Sequence, residues 1–215
     1  MLFGQVTTMG HPSILDLNQT YTFSKYFELN ADPEELFAEL GVKLESQNLN
    51  LPKALRSPQF LSALEARINR GLQLIDVTTE MARREILISP ILFEVCSLVN
   101  QKIKIEYAVN VSNWLRGNLD YLIQSESQLL VIEAKNADIA RGFVQLGAEL
   151  IALDQWTNST APRVYGAVTT GDVWKFGFLD RSNKILYRDT NVYAVPANLA
   201  LLVSILLGII VKEVE

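Results

Sequence analysis

Three ionisable residues stand inside or at the end of otherwise apolar stretches. Asp120 interrupts Leu119-Asp-Tyr-Leu-Ile, and Glu133 and Lys135 close the run Leu-Leu-Val-Ile-Glu-Ala-Lys that starts at Leu129. Burying a lone charge is costly, so charges in such settings are paired or put to use. Glu133 and Lys135 are two apart, and on a strand they project from one face. If the strand carrying Asp120 lies alongside, three charges converge. Two carboxylates on neighbouring strands, with the carbonyl of Ala134 as a further ligand, make a hard oxygen site suited to Mg²⁺ or Mn²⁺. The Lys135 ammonium would orient an attacking water or offset charge on a phosphoryl group, while the metal acidifies water and polarises the phosphate. The structural alternative is an ion pair of Lys135 with Glu133 or Asp120 that only neutralises the strand ends.

Composition excludes other chemistries. The 215 residues hold one histidine, His11, and one cysteine, Cys96, so no histidine-centred zinc site and no internal disulfide can form. Nineteen basic against 24 acidic side chains give a net charge of −5, which rules out a basic coat that grips nucleic acid by charge alone. Any phosphate contact must be local. With 49% hydrophobic and 20% charged residues the chain has a globular composition. The first eight residues have neither a basic n-region nor an apolar run of signal length, and the expected location is the cytoplasm.

The elements that position these residues are read from period and breakers. From Asp76 onward the order is long helix, three strands, helix, further strands and a final apolar helix, an α/β arrangement. The first helix carries Met81, Ile88, Leu92, Val95 and Val99 as a stripe with Glu85 in line, and Pro90 should kink it. Strands are expected over Ile103 to Val111, Asn118 to Ile123 and Leu129 to Ala134, the last central because it is apolar on both faces. Asp138 should cap a helix with Ile139, Phe143, Leu146, Leu150 and Leu153 on its buried stripe. Thr170-Gly171-Asp172 should turn a hairpin between strands Arg163 to Thr169 and Val173 to Leu179. Before Asp76 the pattern is helical and linker-rich. Asp32-Pro33-Glu34-Glu35 opens a helix towards Leu40 that Gly41 stops, and Pro58 to Leu74 has helical spacing.

This acid, spacer, acid-x-lysine arrangement resembles the PD-(D/E)xK, or restriction-endonuclease-like, nucleases, over roughly residues 76 to 211. Asn118-Leu119 stands where that family's proline would precede the aspartate. The resemblance implies a restriction-endonuclease-like core, a central mixed sheet flanked by helices, over 76–215, with 1–75 as a helical N-terminal extension. It implies an Mg²⁺-dependent nuclease acting on DNA ahead of RNA, with Asp120 and Glu133 as ligands and Lys135 as activator. By the same likeness Glu85, with Glu80 and Glu94 behind it, would complete the metal site. Gln145, on the helix after the acid-x-lysine strand, would meet substrate or position the lysine. The stretch Val164 to Trp174 is similar to the strand pair in nuclease domains related to type I restriction enzymes. Two other readings stand beside the nuclease: a nuclease-fold binding or scaffold protein without turnover, and a non-nucleolytic metal enzyme on the same fold.

Elsewhere packing is the expected role. Cys96 reads as core, and Trp174, Phe176 and Phe178 share one strand face that should pack under a helix rather than stack bases. Leu199 to Val211 is aliphatic but shorter than the roughly 20 residues of a membrane span, so a buried helix is expected. Its Ala200, Ser204 and Gly208, four apart, offer a smooth strip that a homodimer could use.

Overall fold

The computed structural model describes residues 13–55, 58–125, 128–135 and 137–211; His11 lies outside them. The chain forms an α/β fold around one mixed, open sheet. Its strands are β1 (Lys43–Gln47), β2 (Ile103–Asn110), β3 (Arg116–Gln124), β4 (Leu129–Ala134), β5 (Arg163–Thr169), β6 (Val173–Asp180), β7 (Ile185–Asp189) and β8 (Tyr193–Ala194). They run in the order β1-β7-β6-β5-β4-β3-β2, with β8 beside β6. The β4–β5 and β1–β7 pairs are parallel and the others antiparallel.

The apolar run at Leu129–Ala134 is buried along its whole length because both faces of β4 are covered. One face packs against α3 (Leu61–Leu74), α5 (Ser89–Leu98) and α7 (Leu199–Val211); the other packs against α1 (Phe23–Glu28), α2 (Pro33–Glu39) and α6 (Ile139–Trp156). Each fully buried aliphatic side chain in these layers contributes about 1.5–3 kcal/mol by leaving water. Trp174 and Phe176 are fully buried in the first layer, and the Trp174 indole donates to the Gly171 carbonyl, so packing rather than base stacking occupies that strand face. Cys96 is core, and burial pushes its thiol up to about 11.

The N-terminal residues are not a purely helical extension. Lys43–Gln47 pairs with β7 and forms one edge of the sheet, a strand hidden in the sequence because only Leu44 of its residues is buried. α2 starts as its capping residues require, with the Asp32 carboxylate accepting from the Glu34 and Glu35 amides, and Gly41 follows its end at φ +76°.

α7 is a buried helix, and no helix among the described residues is long and apolar enough to cross a membrane. The chain itself occupies the strip of small residues. Ser204 Oγ donates to the Ala54 carbonyl, and a Cβ on Gly208 would stand 2.5 Å from Lys53 N and 2.6 Å from Pro52 C. The strip that a homodimer could use is therefore filled at Ser204 and Gly208 by residues 52–54, because small side chains let that backbone settle on the helix. Gly208→Val should cost about 1–3 kcal/mol through overpacking and lower the melting temperature by roughly 2–10 °C. Thermal melts at two protein concentrations check it: the loss should be the same at both, and a concentration-dependent loss would return the strip to a homodimer.

Candidate active site

The site lies where β3 and β4 part company. Their ladder runs from Gln124↔Leu129 to Tyr121↔Ile132 and stops there, one step short of Asp120 and Glu133. Beyond the last pair the Ala134 amide has no strand partner on that side, and the Asp120 carboxylate fills the gap, accepting from Ala134 N at 2.8 Å. β2 is also distorted at this level, because Glu106 has φ +52° and does not pair with Asp120. Asp120 therefore sits at a fork, bound to the backbone of the strand that carries Glu133 and Lys135.

Glu133 is buried, with partners on its own strand and on α6. The Glu133 and Glu149 carboxyls share a hydrogen bond, and Lys135 Nζ lies 2.5 Å and Gln145 Nε2 2.6 Å from Glu133 Oε1. Gln145 reaches it from α6 because Gly142, one turn earlier, lets that helix lie against Val168 and the Lys135 side chain. The other N–H of the same amide donates to Glu149 Oε1 at 2.9 Å, and Glu149 is fully buried. α6 begins as the sequence requires, with Asp138 accepting from Arg141 N.

Electrostatics follow from this burial. Desolvation, reinforced by Asp120, pushes Glu133 up to about 7 despite the Lys135 cation beside it. Glu149 is held well above the usual carboxylate range by burial and by Glu133. Asp120 is raised by burial against the opposing pull of the Ala134 amide, Arg84 and Lys135. At Lys135 burial favours the neutral amine, but Glu133, Asp120 and Glu149 together outweigh it and hold the pKa above that of free lysine. The ammonium therefore stays charged at neutral pH and can orient a water or meet a developing anion, but it cannot serve as a base.

Compared with known proteins, the chain matches no family model and no curated protein.

Of the residues singled out in the sequence, Asp120, Glu133, Ala134, Lys135 and Gln145 come together here, and Glu85 does not. Glu85 is exposed and lines a groove of about 440 Å³ against α3, beside Arg67, Arg70 and Pro90. The cause is Pro90. Its ring would clash with the carbonyl four residues back, and the turn Arg84–Ile88 between α4 (Glu80–Arg83) and α5 opens to a π-helix in which Ser89 N donates to Arg84 O. The extra residue in that turn shifts the stripe by one position and turns Arg84 inward in place of Glu85. Arg84 Nη1 lies 3.6 Å from Asp120 Oδ1 and 2.9 Å from Glu106 Oε1, and its Nε donates to the Tyr121 hydroxyl. Arg84 is the residue that sequence periodicity missed. Glu80 and Glu94 are partly exposed, and the site draws on neither.

The side-chain donors here are of the oxygen type that a hard divalent cation takes. Asp120, Glu133 and the Ala134 carbonyl are oxygen donors, and the adjacent buried carboxyls of Glu133 and Glu149, both raised above the ordinary carboxylate range, are groups that a bound cation would let ionise. Among the described residues no three His, Cys, Asp or Glu side chains are grouped so as to hold a metal ion by themselves.

Proposed function

We propose that the protein is a metal-dependent phosphodiester hydrolase acting on nucleic acid, with a restriction-endonuclease-like core. The observation that carries this reading is the fork between β3 and β4, where Asp120 is bound to the Ala134 amide beside the Glu133–Lys135 pair and Gln145. The acid, acid-x-lysine order and the mixed sheet flanked by helices support it.

In this reading Asp120, Glu133 and the Ala134 carbonyl hold Mg²⁺ or Mn²⁺. The bound ion would supply Lewis-acid polarisation of the phosphate and a water of lowered pKa. Lys135, charged at neutral pH, orients an attacking water and offsets the charge that builds on the phosphoryl oxygens. Gln145 holds Glu133 in place through one N–H and is itself held by Glu149 through the other. Arg84 lies against Asp120 and favours its ionised, ligating form.

One observation favours a second reading, a nuclease-fold binding protein without turnover. Lys135 and Glu133 already neutralise each other at 2.5 Å, as a purely structural pair would. Metal binding separates the two. Calorimetric titration with Mn²⁺ should show one site, and Asp120→Asn should weaken it at least tenfold, since an amide gives less charge to a hard cation. Absence of Mn²⁺ binding by the wild type would leave the second reading in place of the first.

A further inference from the structure

Glu133 lies in a row of side chains that continues across the sheet. In the β4–β5 and β5–β6 registers Glu133 is opposite Val168, and Val168 is opposite Lys175, so all three project towards the face covered by α6. Arg188 on β7 is opposite Gly177, two residues along β6 from Lys175, and belongs to the same face. Its guanidinium lies 5.8 Å from the Phe143 ring and its Nε donates to Ser46 Oγ at 3.0 Å.

These two cations are neighbours, and among the described residues neither forms an ion pair. Arg83, Arg84, Lys135 and Arg181 each lie against a carboxylate. The nearby acid, Asp189, is already engaged: it is buried and accepts from the Leu49 and Asn191 amides and the Tyr193 hydroxyl. Lys175 is accordingly depressed below free lysine, by burial and then by Arg188. Two half-buried like charges held side by side on rigid strands repel each other, and an anion between them would relieve that cost.

We propose that Lys175 and Arg188 seat a backbone phosphate of the bound nucleic-acid strand, to one side of the bond being cleaved. The proposal rests on the hydrolase reading of the fork. Two strand spacings of about 4.8 Å put Lys175 roughly 10 Å from Glu133, with Gly142 of α6 lying over Val168 between them, so a strand that meets both passes over the N-terminal end of that helix and not along the sheet. A chain of net charge −5 needs a local cationic seat of this kind to hold a polyanion. The arginine fork sets the direction of the contact and the lysine adds a point charge.

The test compares wild type with the double variant Lys175→Met/Arg188→Gln. Binding of a fluorescent DNA oligonucleotide is read by anisotropy at several salt concentrations, with Ca²⁺ replacing Mg²⁺, and cleavage kinetics are read with Mg²⁺. The double variant should bind about tenfold more weakly at low salt, and its salt slope should fall by about one. KM should rise with kcat unchanged, as expected for lost binding away from the reacting atoms. Lys175→Met alone should melt higher than wild type, because removing one of two like charges relieves repulsion; this separates weak binding from misfolding. If the wild type binds and the variant loses the slope but the wild type does not cleave, the seat stands and the hydrolase reading falls. If the wild type cleaves and the variant keeps the same KM and slope, the seat is wrong. A wild type that does not bind DNA overturns both.

Discussion

Lys135→Ala is expected to lower metal-dependent cleavage by roughly 10²–10³-fold while leaving divalent-ion binding intact. The substitution removes the group that orients the water and meets developing charge, but neither ligating carboxylate. Metal affinity should hold or rise, because the ammonium at 2.5 Å competes with a metal for Glu133 Oε1. Losing one partner of a buried ion pair ordinarily costs about 3–5 kcal/mol. Here the folded protein has a way to soften the loss, since Glu133, already pushed up to about 7, can take a proton once its cation is gone. The variant should therefore remain folded near neutral pH. Kinetics and Mn²⁺ titration on the same preparation check this, and parallel loss of cleavage and metal binding would make Lys135 a structural partner only.

The second large effect is a loss of stability with rising pH in the metal-free protein. Glu133 and Glu149 both have folded-state pKa values raised above the ordinary carboxylate value of 4.5. For an acid shifted upward the folded state holds its proton more tightly than the unfolded chain. Its contribution is full below the unfolded pKa and is lost as pH rises through the folded one. For Glu133 that window is about 4.5 to 7, worth on the order of 3 kcal/mol, and Glu149 and Asp120 act in the same direction. Glu39 and Asp180, with lowered values, act below this window. Glu149→Gln replaces a buried acid by a neutral amide of similar shape and should flatten the decline, so that its advantage over wild type grows with pH. Thermal melts from pH 4.5 to 8 in chelator measure it. A decline that is equally steep in the variant would mean that Glu149 is not held protonated.

Much of the frame was legible because local signals agreed with tertiary demands. The unbroken apolar run at Leu129–Ala134 read as a strand covered on both faces, the Asp138 cap set the start of α6, and Gly171 at φ +86° turned the hairpin between β5 and β6. Asp120, Glu133 and Lys135 stood out because charge in apolar strands is costly, and they do converge. Glu85 misled because periodicity assumes 3.6 residues per turn, and Pro90 forces one wider turn that presents Arg84 instead. The Lys43–Gln47 strand was hidden because an edge strand with one buried residue has little apolar alternation to read. Lys175 and Arg188 carry no local signal at all, since their proximity depends on how β5, β6 and β7 are registered.

The most direct measurement is incubation of the protein with DNA and RNA of several forms, in Mg²⁺, in Mn²⁺ and in chelator, alongside Lys135→Ala. Cleavage by the wild type that requires the metal and is lost in Lys135→Ala is the result expected of a hydrolase built on Asp120, Glu133 and Lys135. No metal-dependent cleavage by the wild type, or metal-independent cleavage equal in the two proteins, would contradict it.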